Sequence, residues 1–133
     1  MAASAYPLRP SSAARWVKCP GSVRLCALVP DDEGPEAAEG TAAHWVAAEF
    51  MAGRFPVLGA VAPNGIAVTQ DMLDGAALFV ATMASKVPPA NALVEHPLRI
   101  LDIHEGCGGT MDAGGLGFPP VLLIHVGDYK YGH

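Results

Sequence analysis

Val121-Leu122-Leu123-Ile124-His125-Val126-Gly127-Asp128-Tyr129-Lys130-Tyr131 decides the fold, because an apolar, branched run here passes into an alternating charged and aromatic end. Branched and aromatic residues fit the pleated, half-buried surface of a sheet, so the stretch reads as a β-strand. Two earlier stretches, Leu93 to Ile103 and Gly109 to Ala113, have the same texture. Gly106-Cys107-Gly108 and Gly114 to Pro120 supply the turns between them. Short consecutive strands joined by short turns form an antiparallel meander. Side chains alternate along a strand, so Asp128 and Lys130 share one face and Tyr129 takes the other. Asp112 lies on the preceding strand, and a turn over 114–120 brings it beside the Asp128 end.

Upstream the pattern is helical. Ser11 or Ser12 caps a short helix over Ala13-Ala14-Arg15-Trp16-Val17, which Pro20-Gly21 ends. Val29 to Pro35 reads as an acidic loop. From Glu36 to Met51, residues Ala38, Ala42, Trp45, Val46, Ala48 and Phe50 suit a helix, with Gly53 as its stop and Gly40 weakening it by about 1 kcal/mol relative to Ala. Residues 54–68 are rich in Gly and Pro and form an irregular connection. From Thr69, a cap, the residues Met72, Leu73, Ala76, Ala77, Val80, Met83 and Val87 recur at helical spacing until Pro88-Pro89 forbids continuation. Helices followed by consecutive strands predict an α+β fold, N-terminal helices packed on a three-stranded, mainly antiparallel sheet.

A chain of 133 residues suits one domain with one core, burying roughly two-thirds of the surface its unfolded form exposes. Half its residues are hydrophobic and 16% are charged, the balance of a globular protein rather than a disordered one. No apolar run approaches the ~20 residues that span a bilayer, so no membrane is expected. Cys19, Cys26 and Cys107 are odd in number, with no C-x-x-C pair and no apolar secretory leader, which fits a reducing cytoplasm. The net charge of -5 opposes general nucleic-acid binding, which draws on Lys and Arg. Its distribution does not: Arg9, Arg15, Lys18 and Arg24 precede the first acid, Asp31. This basic arm is either a contact for a phosphate backbone or a solvated face that keeps the domain soluble.

Two carboxylates and a lysine at one end of a hairpin have an evident use. Carboxylate oxygens are hard ligands that hold magnesium and leave positions for water or phosphate. The bound ion lowers the pKa of its water, and a fixed ammonium such as Lys130 stabilises charge developing on a transferring phosphate. The alternative is a surface ion pair between Asp128 and Lys130.

Glu39-Gly40-Thr41-Ala42-Ala43-His44, Gly109-Thr110-Met111-Asp112 and Asp128-Tyr129-Lys130-Tyr131-Gly132 resemble, in order, the G-T-x-x-H, G-x-x-D and D-Y-K-x-G motifs of RecB-type PD-(D/E)XK nucleases. That family includes the nuclease domains of helicase-nucleases and the RecB-like nucleases of CRISPR adaptation. The opening from Ser11-Ser12-Ala13-Ala14-Arg15-Trp16 to Cys19-Pro20-Gly21-Ser22 resembles a phage- and prophage-associated branch of uncharacterised proteins. The resemblance implies a nuclease-like core in which Asp112, Asp128 and Lys130 are catalytic. By it, Asp112 and Asp128 are the carboxylates that hold Mg or Mn, and His44 is a further metal ligand or a substrate-site residue; Glu39, on roughly the same side of the helix as His44, either approaches the site or is a solvated acid. It also implies a helix with a Gln/Tyr motif and a further strand beyond D-x-K, which this sequence does not contain. Residues 1–133 are then a single RecB-like nuclease domain lacking its C-terminal helix and strand. Many relatives hold an iron-sulfur cluster through one N-terminal and three C-terminal cysteines; only Cys19 matches, so no such cluster is expected and Cys19 reads as a buried small hydrophobe.

Two functions follow as expectations. The first is metal-dependent phosphodiester hydrolysis of DNA, with Arg9, Arg15, Lys18 and Arg24 binding nucleic acid. The second is a catalytically inactive phage protein that binds and inhibits a host defence complex such as a CRISPR effector. A sheet ending on the catalytic strand exposes an edge, so pairing with a second copy is a further expectation.

Overall fold

The computed structural model describes residues 6–29, 34–120 and 122–132. Along the chain run a 3-10 turn at Pro10–Ser12, α1 (Ala13–Lys18), α2 (Ser22–Ala27), α3 (Pro35–Met51) and α4 (Gln70–Ala84). A second 3-10 turn at Pro89–Asn91 leads to β1 (Leu93–Arg99), β2 (Gly108–Leu116) and β3 (Ile124–Gly127). The fold is α+β, helices first and then one sheet in the order β1-β2-β3. β2 and β3 are antiparallel, Ala113 opposite Gly127 and Leu116 opposite Ile124. The acidic loop expected from Val29 to Pro35 falls mainly on 30–33, outside the described residues, and Pro35 itself opens α3.

The described residues form two compact units, one of 6–29 with 97–110 and one of 34–96 with 111–132. In the first, the Trp16 Nε1–H donates to the Arg9 carbonyl at 2.9 Å, tying α1 to the 3-10 turn ahead of it. Ser12 precedes α1 as expected, but its hydroxyl bonds the Arg9 carbonyl and caps no helical N–H. Pro20-Gly21 ends α1 and then starts α2, a helix the sequence reading did not anticipate; neither helix buries a residue. Leu8 bridges Cys107 in parallel, and Gly108 is bare because a Cβ there would meet the Leu98 carbonyl and the Tyr6 ring.

In the second unit α3 and α4 build the core. α3 buries Ala42, Ala43, Val46 and Ala47, side chains small enough to admit a neighbour closely. It stops where Gly53 takes φ 75°, a left-handed conformation that glycine adopts without a Cβ clash. The Thr69 hydroxyl accepts the Met72 N–H at 3.3 Å and starts α4, as its sequence position predicts. Met72, Ala76, Met83 and Val87 of the apolar stripe are buried, whereas Ala77 is exposed. Between the helices, residues 54–68 contain no helix or strand but fold back through a bridge between Val61 and Ala67 that buries Ala62 and Val68.

The strands differ in length from their sequence bounds, for local reasons. β1 ends at Arg99 because Ile100 N–H donates to the Cys107 carbonyl and closes the turn. β2 runs on through Gly114 and Gly115, assigned by sequence to a turn; at Gly115 a Cβ would strike the Asn91 carbonyl, so the bare backbone packs there. β3 keeps only four of the eleven residues expected, of which Val121 is not among those described. At its far end, continuing the register places Tyr129 opposite Met111. The Asp112 carboxylate intercepts the Tyr129 N–H at 2.7 Å, so a side chain takes the bond the ladder would otherwise use. β3 is an edge strand, with Ile124 and Val126 78% and 66% exposed.

Candidate metal centre

Three chain segments deliver side chains to one place. His44 projects from the second half of α3, one residue beyond the buried Ala42-Ala43 pair that fixes that helix on the core. Asp112 comes from the middle of β2 and Glu95 from β1. One nitrogen or oxygen from each of His44, Glu95 and Asp112 lies within 4.8 Å of the others, a spacing that one cation can bridge. His44 Nδ1 is 3.4 Å from Asp112 Oδ1, with the aspartate only 15% exposed.

Tyr129 holds this group from beneath. Its main-chain N–H bonds Asp112 Oδ2, and its ring meets the His44 imidazole edge-on at 5.4 Å between centroids. The same ring is tilted against Phe79 of α4 at 5.2 Å. Burial raises the Tyr129 hydroxyl above the ordinary phenol value, helped by Tyr131. Glu95 stands at φ 46°, a left-handed conformation rare for a residue with a Cβ. Burial pushes its carboxyl above the ordinary carboxylate range, the Asp112 charge adds to the rise, and His44 opposes it. Two acids disfavouring each other's charge at close range are what a cation would relieve.

Beside this group Lys130 Nζ lies 2.9 and 3.0 Å from the two Asp128 oxygens. The alternation read from sequence is present: Asp128 and Lys130 pair in solvent while Tyr129 is 7% exposed. The Asp128 hydrogen bond holds the Lys130 ammonium above its ordinary pKa, against desolvation and with the charges of Asp128 and Asp112 assisting. Asp112 therefore acts electrostatically on both sets of residues. Asp128, expected to share an ion with Asp112, is not among the three whose ligand atoms cluster. Glu95, which is, was missed. Its only sequence signal is an acid directly after the apolar pair Leu93-Val94, since no motif spacing links it to His44 or Asp112.

The remaining candidates stand elsewhere. Glu39 is solvent-exposed on the first half of α3. Arg9 precedes the first 3-10 turn, Arg15 and Lys18 are in the last turn of α1, and Arg24 is in the last turn of α2, all exposed. Cys19 is exposed, contrary to its reading as a buried hydrophobe; α1 buries nothing, and the buried thiol is Cys107. Among the described residues no helix is long and apolar enough to cross a membrane.

A family description matches residues 6–133, a span that includes all three motifs and every residue of the centre. The chain belongs to the family described as protein of unknown function (DUF2800). No solved structure matches it.

Proposed function

We propose that this protein is a metal-dependent nuclease that hydrolyses phosphodiester bonds in DNA, on a core of the PD-(D/E)XK type. The observation that carries the reading is the meeting of His44, Glu95 and Asp112 within the span of a single cation, next to the Asp128–Lys130 pair. The donor set, two hard carboxylates and one imidazole, suits magnesium or manganese. A bound divalent ion supplies a water of lowered pKa and neutralises charge on the phosphate.

In this reading Asp112, one oxygen of which is fixed by the Tyr129 N–H, and His44, 3.4 Å from its other oxygen, would hold the ion. Glu95 completes the set once its charge is compensated. Asp128 holds the Lys130 ammonium at the margin of the centre, where a substrate phosphate competes for it. Arg9, Arg15, Lys18 and Arg24 contact the phosphate backbone.

The test is incubation with single- and double-stranded oligonucleotides in Mg2+ or Mn2+, beside Lys130→Ala and Asp112→Asn. Cleavage is expected for the unaltered protein, to need the metal, and to fall by about 100-fold or more in either variant. Cleavage that persists in EDTA, or in both variants, removes the reading.

A further inference from the structure

We propose that Tyr129 is a positioning residue for the metal centre, and that the gap in α4 at Gly75 sets where it stands. The proposal rests on the reading of His44, Glu95 and Asp112 as ligands and adds how two of them are oriented.

Tyr129 touches both with different parts of itself. The main-chain N–H fixes one Asp112 oxygen, leaving the other toward His44. The T-shaped contact of the Tyr129 ring sets the plane of the imidazole. A single displacement of Tyr129 thus moves a ligand on α3 and a ligand on β2 together. Ligand orientation by such supporting groups governs metal affinity as strongly as many direct contacts do.

What stops the ring from moving is α4. The Tyr129 hydroxyl is buried, has no hydrogen-bond partner, and lies against Gly75, where a Cβ would collide with it. Gly75 sits in the interior of α4 with no left-handed backbone to justify a glycine there. Glycine inside a helix and an unpartnered hydroxyl in the core each cost stability. Both occur at one contact, and Phe79, one turn further along α4, packs against the same ring at 5.2 Å between centroids. The hydroxyl therefore works as a spacer: its length, seated in the glycine gap, defines the height of the ring under His44.

The length argument yields a compensating pair. Gly75→Ala fills the gap and pushes the ring toward the ligands. Tyr129→Phe, combined with it, removes the oxygen that the new methyl strikes and restores the fit. Two signals are read: the 15N and 1H resonances of the His44 imidazole without metal, and the affinity for Mn2+ by titration calorimetry. In Gly75→Ala the His44 resonances shift and the Mn2+ dissociation constant rises about 10-fold or more. In Gly75→Ala/Tyr129→Phe both return most of the way to those of the unaltered protein. Should Gly75→Ala not fold, Tyr129→Leu removes the ring instead and is expected to move both signals.

Unshifted His44 resonances with unchanged Mn2+ affinity in the altered proteins overturn the positioning role, as does a double variant no better than Gly75→Ala alone. If the unaltered protein takes up no Mn2+, the metal reading falls. The His44 resonances still decide whether Tyr129 orients the imidazole, so the two failures are separable.

Discussion

At the scale of single residues, Glu95 is the group whose behaviour tests the metal reading, because its charge is disfavoured when no cation is near. Its carboxyl is raised by burial and by the Asp112 charge, so the folded protein binds this proton more tightly than the unfolded chain does. The stability it contributes is full below the unfolded value of about 4.3 and is lost as pH rises through the higher folded value. Glu95→Gln cannot titrate. Its melting temperature in EDTA is expected to match the unaltered protein at pH 4 and to exceed it at pH 7. In the metal reading, saturating Mn2+ at pH 7 reverses the order: a ligand at 100 times its dissociation constant adds about 2.7 kcal/mol, and only the unaltered protein offers two anionic carboxylates beside His44. Melting curves at the two pH values with and without Mn2+ check this; a variant less stable than the unaltered protein in EDTA at pH 7 contradicts it. His44 and Asp112 were legible in the sequence because each closes a short motif with a fixed spacing. Glu95 was not, because its approach depends on a left-handed backbone within β1 that no residue pattern announces.

At the scale of elements, start and stop chemistry was the readable part. Thr69 and Gly53 bound their helices where side-chain capping and glycine geometry place them. Thr69→Ala removes the acceptor for the Met72 N–H and should cost about 1 kcal/mol, read as a lower urea midpoint with an unchanged slope. An unchanged midpoint would mean water replaces the cap at no loss. The strand ends were not readable, because competition decides them. Asp112 takes the N–H that would have carried β3 onward, and a sequence-based strand limit cannot register a bond to a residue seventeen positions away. α2 went unseen because Pro20-Gly21 reads as an ending, whereas here it also serves as a beginning. The glycines of the sheet report packing more than turning. At Gly127 a Cβ would press on Met83 and Phe79, so β3 lies close on α4 because it lacks a side chain there.

At the scale of the whole molecule, composition hides an asymmetry. A chain with net charge -5 carries Arg9, Arg15, Lys18 and Arg24 in one unit and the candidate metal ligands in the other. In the nuclease reading, affinity for duplex DNA comes from displaced counterions, with a slope of log K against log salt of about -0.9 per phosphate contact. Four contacts give a slope of about -3.6. Fluorescence anisotropy in Ca2+ over a salt series is expected to show a slope at least this steep, and replacing the four cations by Gln should make it shallower by about 3.6. A slope unaffected by that replacement would remove these residues from the DNA-binding assignment. The edge position of β3 has a different consequence. Gly117 donates to the Leu123 carbonyl, and the register then alternates, so the amides of His125 and Gly127 face β2 while those of Ile124 and Val126 face outward. Within four residues the strand therefore holds two hydrogens shielded by a partner and two open to the solvent. In heavy water the open pair would exchange for deuterium first, in a one-in-two rhythm that a strand paired on both sides would not have.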